Sequence, residues 1–283
     1  MTTTIAVCID DYGLHGGVDE AVLALIRQGR ATATSCMTGA PAWRDDSQAL
    51  AAQPADGVDV GLHLDFTEHP MLPSSRRTLP SLIALSVTGR LDREVLRAEI
   101  DAQLDAFESG MGRAPDYVDG HQHVHQLPQI RDVLVDALVR RYPDRHPWLR
   151  CTKRPAAMRS GEFKPWLIER LGCRELTALA RAHGLPQNGR FLGVYDFQGD
   201  APGFSKLLAR WLEWARDGDV LMGHAATNAP ANDAIGLARV REYAVLSGEG
   251  FGELLEARDI RLAPLSRIRA QAPVATAAQA ASR

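Results

Sequence analysis

Several things are missing from this sequence, and each absence narrows what it can be. No apolar run approaches the ~20 residues that a membrane-spanning helix needs, so no membrane role is expected. The cysteines Cys8, Cys36, Cys151 and Cys173 form no C-x-x-C pair. Cys8 and Cys36 sit inside apolar, strand-like runs, where a cysteine behaves as a small buried hydrophobe. No disulfide framework is expected, which fits a reducing compartment. Neither charge is in large excess: the formal net charge is −3, which offers no basic field to nucleic acid or an anionic bilayer. The first apolar run is short, ends at Asp10-Asp11 and follows no charged segment. It does not read as a secretory signal, and the cytoplasm is the expected location. No internal repeat is visible.

What is present is an alternation of strand-like and helix-like segments. Thr4–Ile9 is continuously apolar and β-rich, as a strand covered on both faces of a parallel sheet should be. Further strands are expected at Thr32–Met37, Gly57–Leu64, Tyr117–His121, Trp148–Thr152, Phe191–Val194, Val220–His224 and Ile260–Leu262. Between them lie helical periods, the clearest over Leu91–Gly110, with Leu96, Ile100, Leu104 and Phe107 on one side. Residues 65–80 are Pro-rich and read as a long irregular loop, a kind of segment that is often functional. The pattern predicts an α/β fold, a parallel sheet or barrel with helices outside. One domain is expected over residues 1–268, and 269–283, without a bulky apolar stripe, is expected to be a disordered tail.

In parallel α/β architectures the chemistry sits at the carboxyl ends of the strands. Asp10 and Asp11 end the first strand. Two adjacent carboxylates there repel one another, and a cation would relieve them. His63 lies in Gly61-Leu-His-Leu64; by itself it reads equally as a core histidine. Asp119-Gly-His-Gln-His-Val-His125 is the densest signal: three of the nine histidines fall within five residues. If the strand continued, His121, His123 and His125 would share one face with Asp119. Imidazole is the commonest neutral metal ligand, and a nearby carboxylate can orient it. Spacing does not say which histidine binds. His224 follows the run Val220-Leu-Met-Gly and reads either as a loop residue or as a general acid or base. Arg150 could pair with Asp10 or Asp11, or lie on the surface. Tyr12, Phe66, Trp148 and Tyr195 are aromatics that could stack on a sugar ring or simply pack.

Taken together, Ile9-Asp-Asp-Tyr-Gly13, Gly61-Leu-His-Leu64, Val118-Asp-Gly-His-Gln-His-Val-His125 with Leu127-Pro128, and Met222-Gly-His224 resemble the YdjC-like carbohydrate deacetylases. That group includes chitooligosaccharide deacetylase and relatives associated with hopanoid biosynthesis, and the resemblance covers roughly residues 4 to 265. The chain departs from the usual pattern at Cys8-Ile9, Tyr12 and Ala225. The resemblance implies an irregular (β/α) barrel, TIM-barrel-like, with parallel strands inside and helices outside. It implies hydrolysis of the N-acetyl group of an acetylated amino sugar or oligosaccharide. It implies one divalent metal, Zn, Mg, Mn or Co, on Asp11, His63 and His121. Asp10 would be the base, His224 the acid and Arg150 the partner of Asp10. His123 and His125 would line the pocket; Tyr12, as an aromatic next to Asp11, is a further candidate for substrate binding that the resemblance does not supply. Two other readings stay open: a metal-dependent phosphoesterase or amidohydrolase, and a non-catalytic carbohydrate-binding relative. A homodimer is the default oligomer.

Overall fold

The computed structural model describes residues 2–54, 56–159 and 163–271. Eight strands appear: β1 (Thr3–Tyr12), β2 (Ala33–Cys36), β3 (Asp59–Leu64), β4 (Tyr117–Gly120), β5 (Trp148–Leu149), β6 (Phe191–Leu192), β7 (Val220–Gly223) and β8 (Ile260–Leu262). The helices are α1 (Gly16–Arg27), α2 (Trp43–Ala51), α3 (Leu79–Val87), α4 (Arg93–Met111), α5 (Ile130–Arg141), α6 (Phe163–Arg170), α7 (Cys173–Ala182), α8 (Ala201–Trp214), α9 (Gly236–Leu246), α10 (Glu249–Glu256) and α11 (Leu265–Gln271). All eight expected strands form, most of them shorter than their apolar runs. Helix α11 runs through residues 269–271, and the remainder of the expected tail lies outside the described residues.

The strands run in the order β5-β4-β3-β2-β1-β7-β6, every pairing parallel, with β8 added beside the start of β1. The sheet curls into a half-barrel with helices around it. The segments following β5 and preceding β6 are stitched rather than laddered. Leu149 N donates to Pro186 O at 2.8 Å and Phe191 N to Lys153 O at 2.8 Å. Between them the Asn188 amide accepts from Cys151 N at 2.7 Å and donates to Cys151 O at 2.9 Å. An amide side chain carries one acceptor and two donors, so it can stand in for the missing ladder.

Helix α4 shows how local sequence sets an element. Asp92 accepts from Glu94 N at 2.9 Å as an N-cap, and Gly112 ends the helix in the left-handed region at φ 68°. Its inward stripe is the expected Leu96, Ile100, Leu104 and Phe107, but it also carries buried Glu99 and Gln103. Glu99 accepts from Met71 N, Leu72 N and Ser75 Oγ at 2.7–2.8 Å. Asp65 caps the start of the same loop by accepting from Thr67 N at 2.7 Å. The Pro-rich stretch is therefore braced from beneath by two carboxylates, and it ends in α3, a helix the sequence pattern did not mark.

Candidate active site

Parallel register and one irregularity bring the charged residues together. His63 and Asp119 are register partners on β3 and β4, so their side chains leave the sheet side by side. The β1–β2 register slips between Ile9 and Tyr12, and Asp11 takes a left-handed φ of 74° at the slip. This bulge re-aims Asp11, so that both Asp10 and Asp11 reach one cavity of about 780 Å³. Strict alternation would have sent them to opposite faces.

Asp11, His63 and His121 form a group whose ligating atoms all lie within 4.8 Å of one another. His63 Nε2 is 3.2 Å and His121 Nδ1 3.1 Å from Asp11 Oδ1. On its other side His63 Nδ1 meets Asp119 Oδ1 at 2.6 Å, and His121 Nε2 lies 3.2 Å from Glu68 Oε1. Burial alone would keep His63 neutral, but Asp119 and Asp11 outweigh it and hold its pKa up at about 9. His121 is raised in the same way against burial, chiefly by Asp11. Two imidazoles converging on one carboxylate oxygen, each backed by a further carboxylate, are held as cations by their neighbours. A divalent ion replaces such protons, so this donor set of two nitrogens and a carboxylate fits one.

Asp10 belongs to a separate network. Arg150 grips it with two bonds, Nη1 to Oδ2 at 2.6 Å and Nη2 to Oδ1 at 2.7 Å, and reaches Asp119 Oδ2 at 2.6 Å. Ser35 Oγ donates to Asp119 Oδ2 at 2.6 Å. All these groups are buried. Burial opposes ionisation of Asp10, but the Arg150 guanidinium wins and holds its carboxyl well below the usual range. Cys8, Asp10 and Asp119 also cluster closely enough to hold an ion. There the cation is already the guanidinium, and burial pushes the Cys8 thiol up, away from the thiolate a metal needs. Asp11 has its own arginine: Arg239 Nη2 lies 2.8 Å from Asp11 Oδ2 and its Nε bonds Asp233 Oδ2 at 2.8 Å. The repulsion expected between Asp10 and Asp11 is thus relieved by two arginines.

His224 follows β7 and lines the same cavity as Asp10, Asp11, His63, His121 and His123. Burial pulls its ring down to about 4, against the pull of Asp11 and Asp10. Its backbone N–H donates to Glu242 Oε2 at 2.6 Å. The wall made by Leu79, Ile83, Leu167, Ile168 and Leu171 is aliphatic.

Residues 4–257 match the family model described as YdjC-like protein. The chain belongs to that family. It is 29% identical over 248 residues to a carbohydrate deacetylase of Mus musculus, covering 79% of this chain and 75% of that one. It is 30% identical over 147 residues to a carbohydrate deacetylase of Homo sapiens, covering 47% of this chain and 45% of that one, about half the relative's length. Among solved structures, an Enterococcus faecalis protein described as a "putative cellobiose-phosphate cleavage protein" superimposes with a TM-score of 0.70 at 21% identity, over 95% of this chain and 99% of that one. At that identity the likeness concerns the fold.

In this YdjC-like chain several expected positions are corrected. The strand stops at Gly120, and His121–Gln126 form a 3-10 turn with Gln122 and His123 at φ 52° and 62°. The three histidines therefore do not share a face. A Cβ on residue 120 would come within 2.8 Å of His125 N, so only glycine lets the turn fold back there. His125 is buried with Nε2 3.0 Å from Arg150 O, away from the cavity. Tyr12 also packs inside: its hydroxyl donates to Asp46 O at 2.8 Å and its ring meets Trp43 edge-on. Phe66 is buried, and Trp148 stacks on Tyr117 with centroids 4.0 Å apart. Of the named aromatics only Tyr195 lines the cavity. Phe197, Glu68 and Arg239 line it without having been singled out in the sequence.

Proposed function

We propose that this protein is a metal-dependent hydrolase that removes the acetyl group from an N-acetylated amino sugar or oligosaccharide. The observation that carries this reading is the meeting of the Asp11–His63–His121 group, the Arg150-held Asp10 and His224 in one cavity. The relatives named carbohydrate deacetylase support it. A divalent ion bound by Asp11, His63 and His121 would polarise the acetamide carbonyl and acidify water.

The chain's own groups supply the rest. Asp10, kept ionised by Arg150, is the base that takes the proton of the attacking water. His224 is the acid that protonates the departing amine. Its ring is neutral at rest, so it must gain its proton within the cycle, and the one released to Asp10 is at hand. Asp119 fixes the His63 ring through Nδ1 and the Arg150 guanidinium through Oδ2. Arg239 holds Asp11 by Oδ2 and leaves Oδ1 turned to both imidazoles. His123 lines the pocket beside the substrate.

The test is acetate release from a panel of N-acetylated sugars and oligosaccharides, run beside phosphate esters. Acetate from at least one amino sugar is expected. Hydrolysis confined to phosphate esters would make this a phosphoesterase, and sugar binding without turnover a binding relative.

A further inference from the structure

A general acid works only if its ring is held toward the leaving group. In many sites a carboxylate or carbonyl does this by bonding the second ring nitrogen. His224 has no such partner among the described residues: its Nδ1 is buried without a hydrogen bond, and its only bond is through the backbone N–H to Glu242. The His224 ring packs against Phe197, edge-to-face, with centroids 5.2 Å apart and planes at 87°.

Phe197 is held in an unusual way. Its φ is 65°, a left-handed conformation that is uncommon and strained for a bulky residue. The flanking Gly193 and Gly199 adopt positive φ without that strain, so position 197 is where a side chain is kept in spite of it. Arg241 clamps the strained turn, donating from Nη2 to Phe197 O at 3.0 Å and from Nη1 to Gly199 O at 2.7 Å. Lys164 Nζ donates to Tyr195 O at 2.8 Å and stands 4.1 Å from the Phe197 ring centroid, pinning the ring from its face. The Tyr195 hydroxyl donates to Glu242 Oε1 at 2.7 Å while Glu242 Oε2 takes the His224 N–H. The turn and the acid are thus anchored to the same carboxylate.

We propose that Phe197 is the positioning residue for His224, fixing the imidazole by ring packing where no hydrogen bond does so. Backbone strain at 197, stabilised by Arg241 and Lys164, is the device that aims the phenyl ring. This rests on the deacetylase reading, in which His224 is the proton donor.

The experiment compares the wild type with Phe197→Ala, Phe197→Tyr and Phe197→Gly on two substrates. One is an N-acetylated amino sugar, whose amine must be protonated to leave. The other is 4-nitrophenyl acetate, whose leaving group needs no proton. In Phe197→Ala the ratio of amide to ester turnover is expected to fall by roughly 10-fold or more, part of the ~10²–10⁴ a positioned general acid supplies. The fall should appear in kcat rather than KM, with metal content unchanged. Phe197→Tyr, which keeps the ring edge, should restore most of the ratio. Phe197→Gly should be as slow as Phe197→Ala yet melt at a higher temperature, because glycine relieves the backbone. An unchanged ratio in Phe197→Ala, or equal loss on both substrates, would overturn the proposal. A wild type that releases no acetate from any amino sugar would overturn the deacetylase reading, and this inference with it.

Discussion

Asp119 Oδ1 lies 2.6 Å from His63 Nδ1, and that contact decides which nitrogen of the ring is left facing Asp11. Carboxylates behind a ligating imidazole fix its tautomer and raise its basicity, and their loss typically costs 10–100-fold in metal affinity. Asp119→Asn is therefore expected to weaken metal binding by about that factor. Competition with a chelating dye measures it. Wild-type affinity in the variant would mean that His63 is oriented by something else.

Asp10 and Asp11 are neighbours with separate partners, so their variants should separate too. Asp11→Asn and His121→Ala are expected to lose bound metal and acetate release together. Asp10→Asn is expected to keep its metal and lose most of its turnover. Metal content by elemental analysis beside kcat checks both. A fully loaded, fully active Asp11→Asn, or a near-normal Asp10→Asn, would reverse the assignment.

Arg150 is wholly buried between Asp10 and Asp119. Removing one partner of a buried ion pair leaves an uncompensated charge and costs roughly 3–5 kcal/mol. Arg150→Met should lower unfolding stability by about that amount, read from a urea midpoint at unchanged slope. A midpoint equal to wild type would show the carboxylates to be compensated elsewhere.

Glu242 gives a pH signature. Burial raises its pKa from an ordinary 4.5 to about 7, against the bonds from His224 N–H and Tyr195. A folded pKa above the unfolded one contributes stability that is complete below about pH 4.5 and is lost as pH rises through about 7. Glu242→Gln lacks this titration. Between pH 5 and 8 the wild type should lose melting temperature relative to the variant; parallel curves would remove Glu242 from the linkage.

The candidate site was partly legible in the sequence, for a physical reason. Asp10, Asp11, His63, His121 and His224 interrupt or end apolar runs, and a charge at the end of a buried strand has few structural uses. His125 reads as sharing a face with His121 because side-chain parity presumes that a strand continues, and Tyr12 reads equally as an aromatic that stacks on a sugar or one that packs. A bulge at Asp11 and a left-handed turn at Gln122-His123 re-aim everything after them. Arg239 and Glu242 passed unnoticed because charges on a helix read as a solvated face. The signal was there: with Ala238 and Leu246 they fall on the inward stripe of α9. Phe197 carried no sequence signal, since its conformation is set by Arg241 from another element. The parallel α/β layering was visible in the alternation of apolar strands and amphipathic helices, which left sheet or barrel open; the curl into a half-barrel was implied by the family resemblance. Helix α3 was hidden by the prolines before it, because Pro80 sits in its first turn, where proline is tolerated.

Tyr12 tests the correction most simply. Tyr12→Phe removes its bond to Asp46 O and should cost about 1 kcal/mol of stability while leaving KM and kcat for the sugar unchanged. A raised KM would return Tyr12 to the substrate.

The most direct measurement is acetate release by chelator-stripped protein re-supplied with single divalent ions, with metal content determined on the same samples. Activity that disappears on stripping and returns as one ion binds per chain is expected from the Asp11–His63–His121 group. Undiminished acetate release from metal-free protein, or a requirement for two ions per chain, would contradict a single-metal deacetylase.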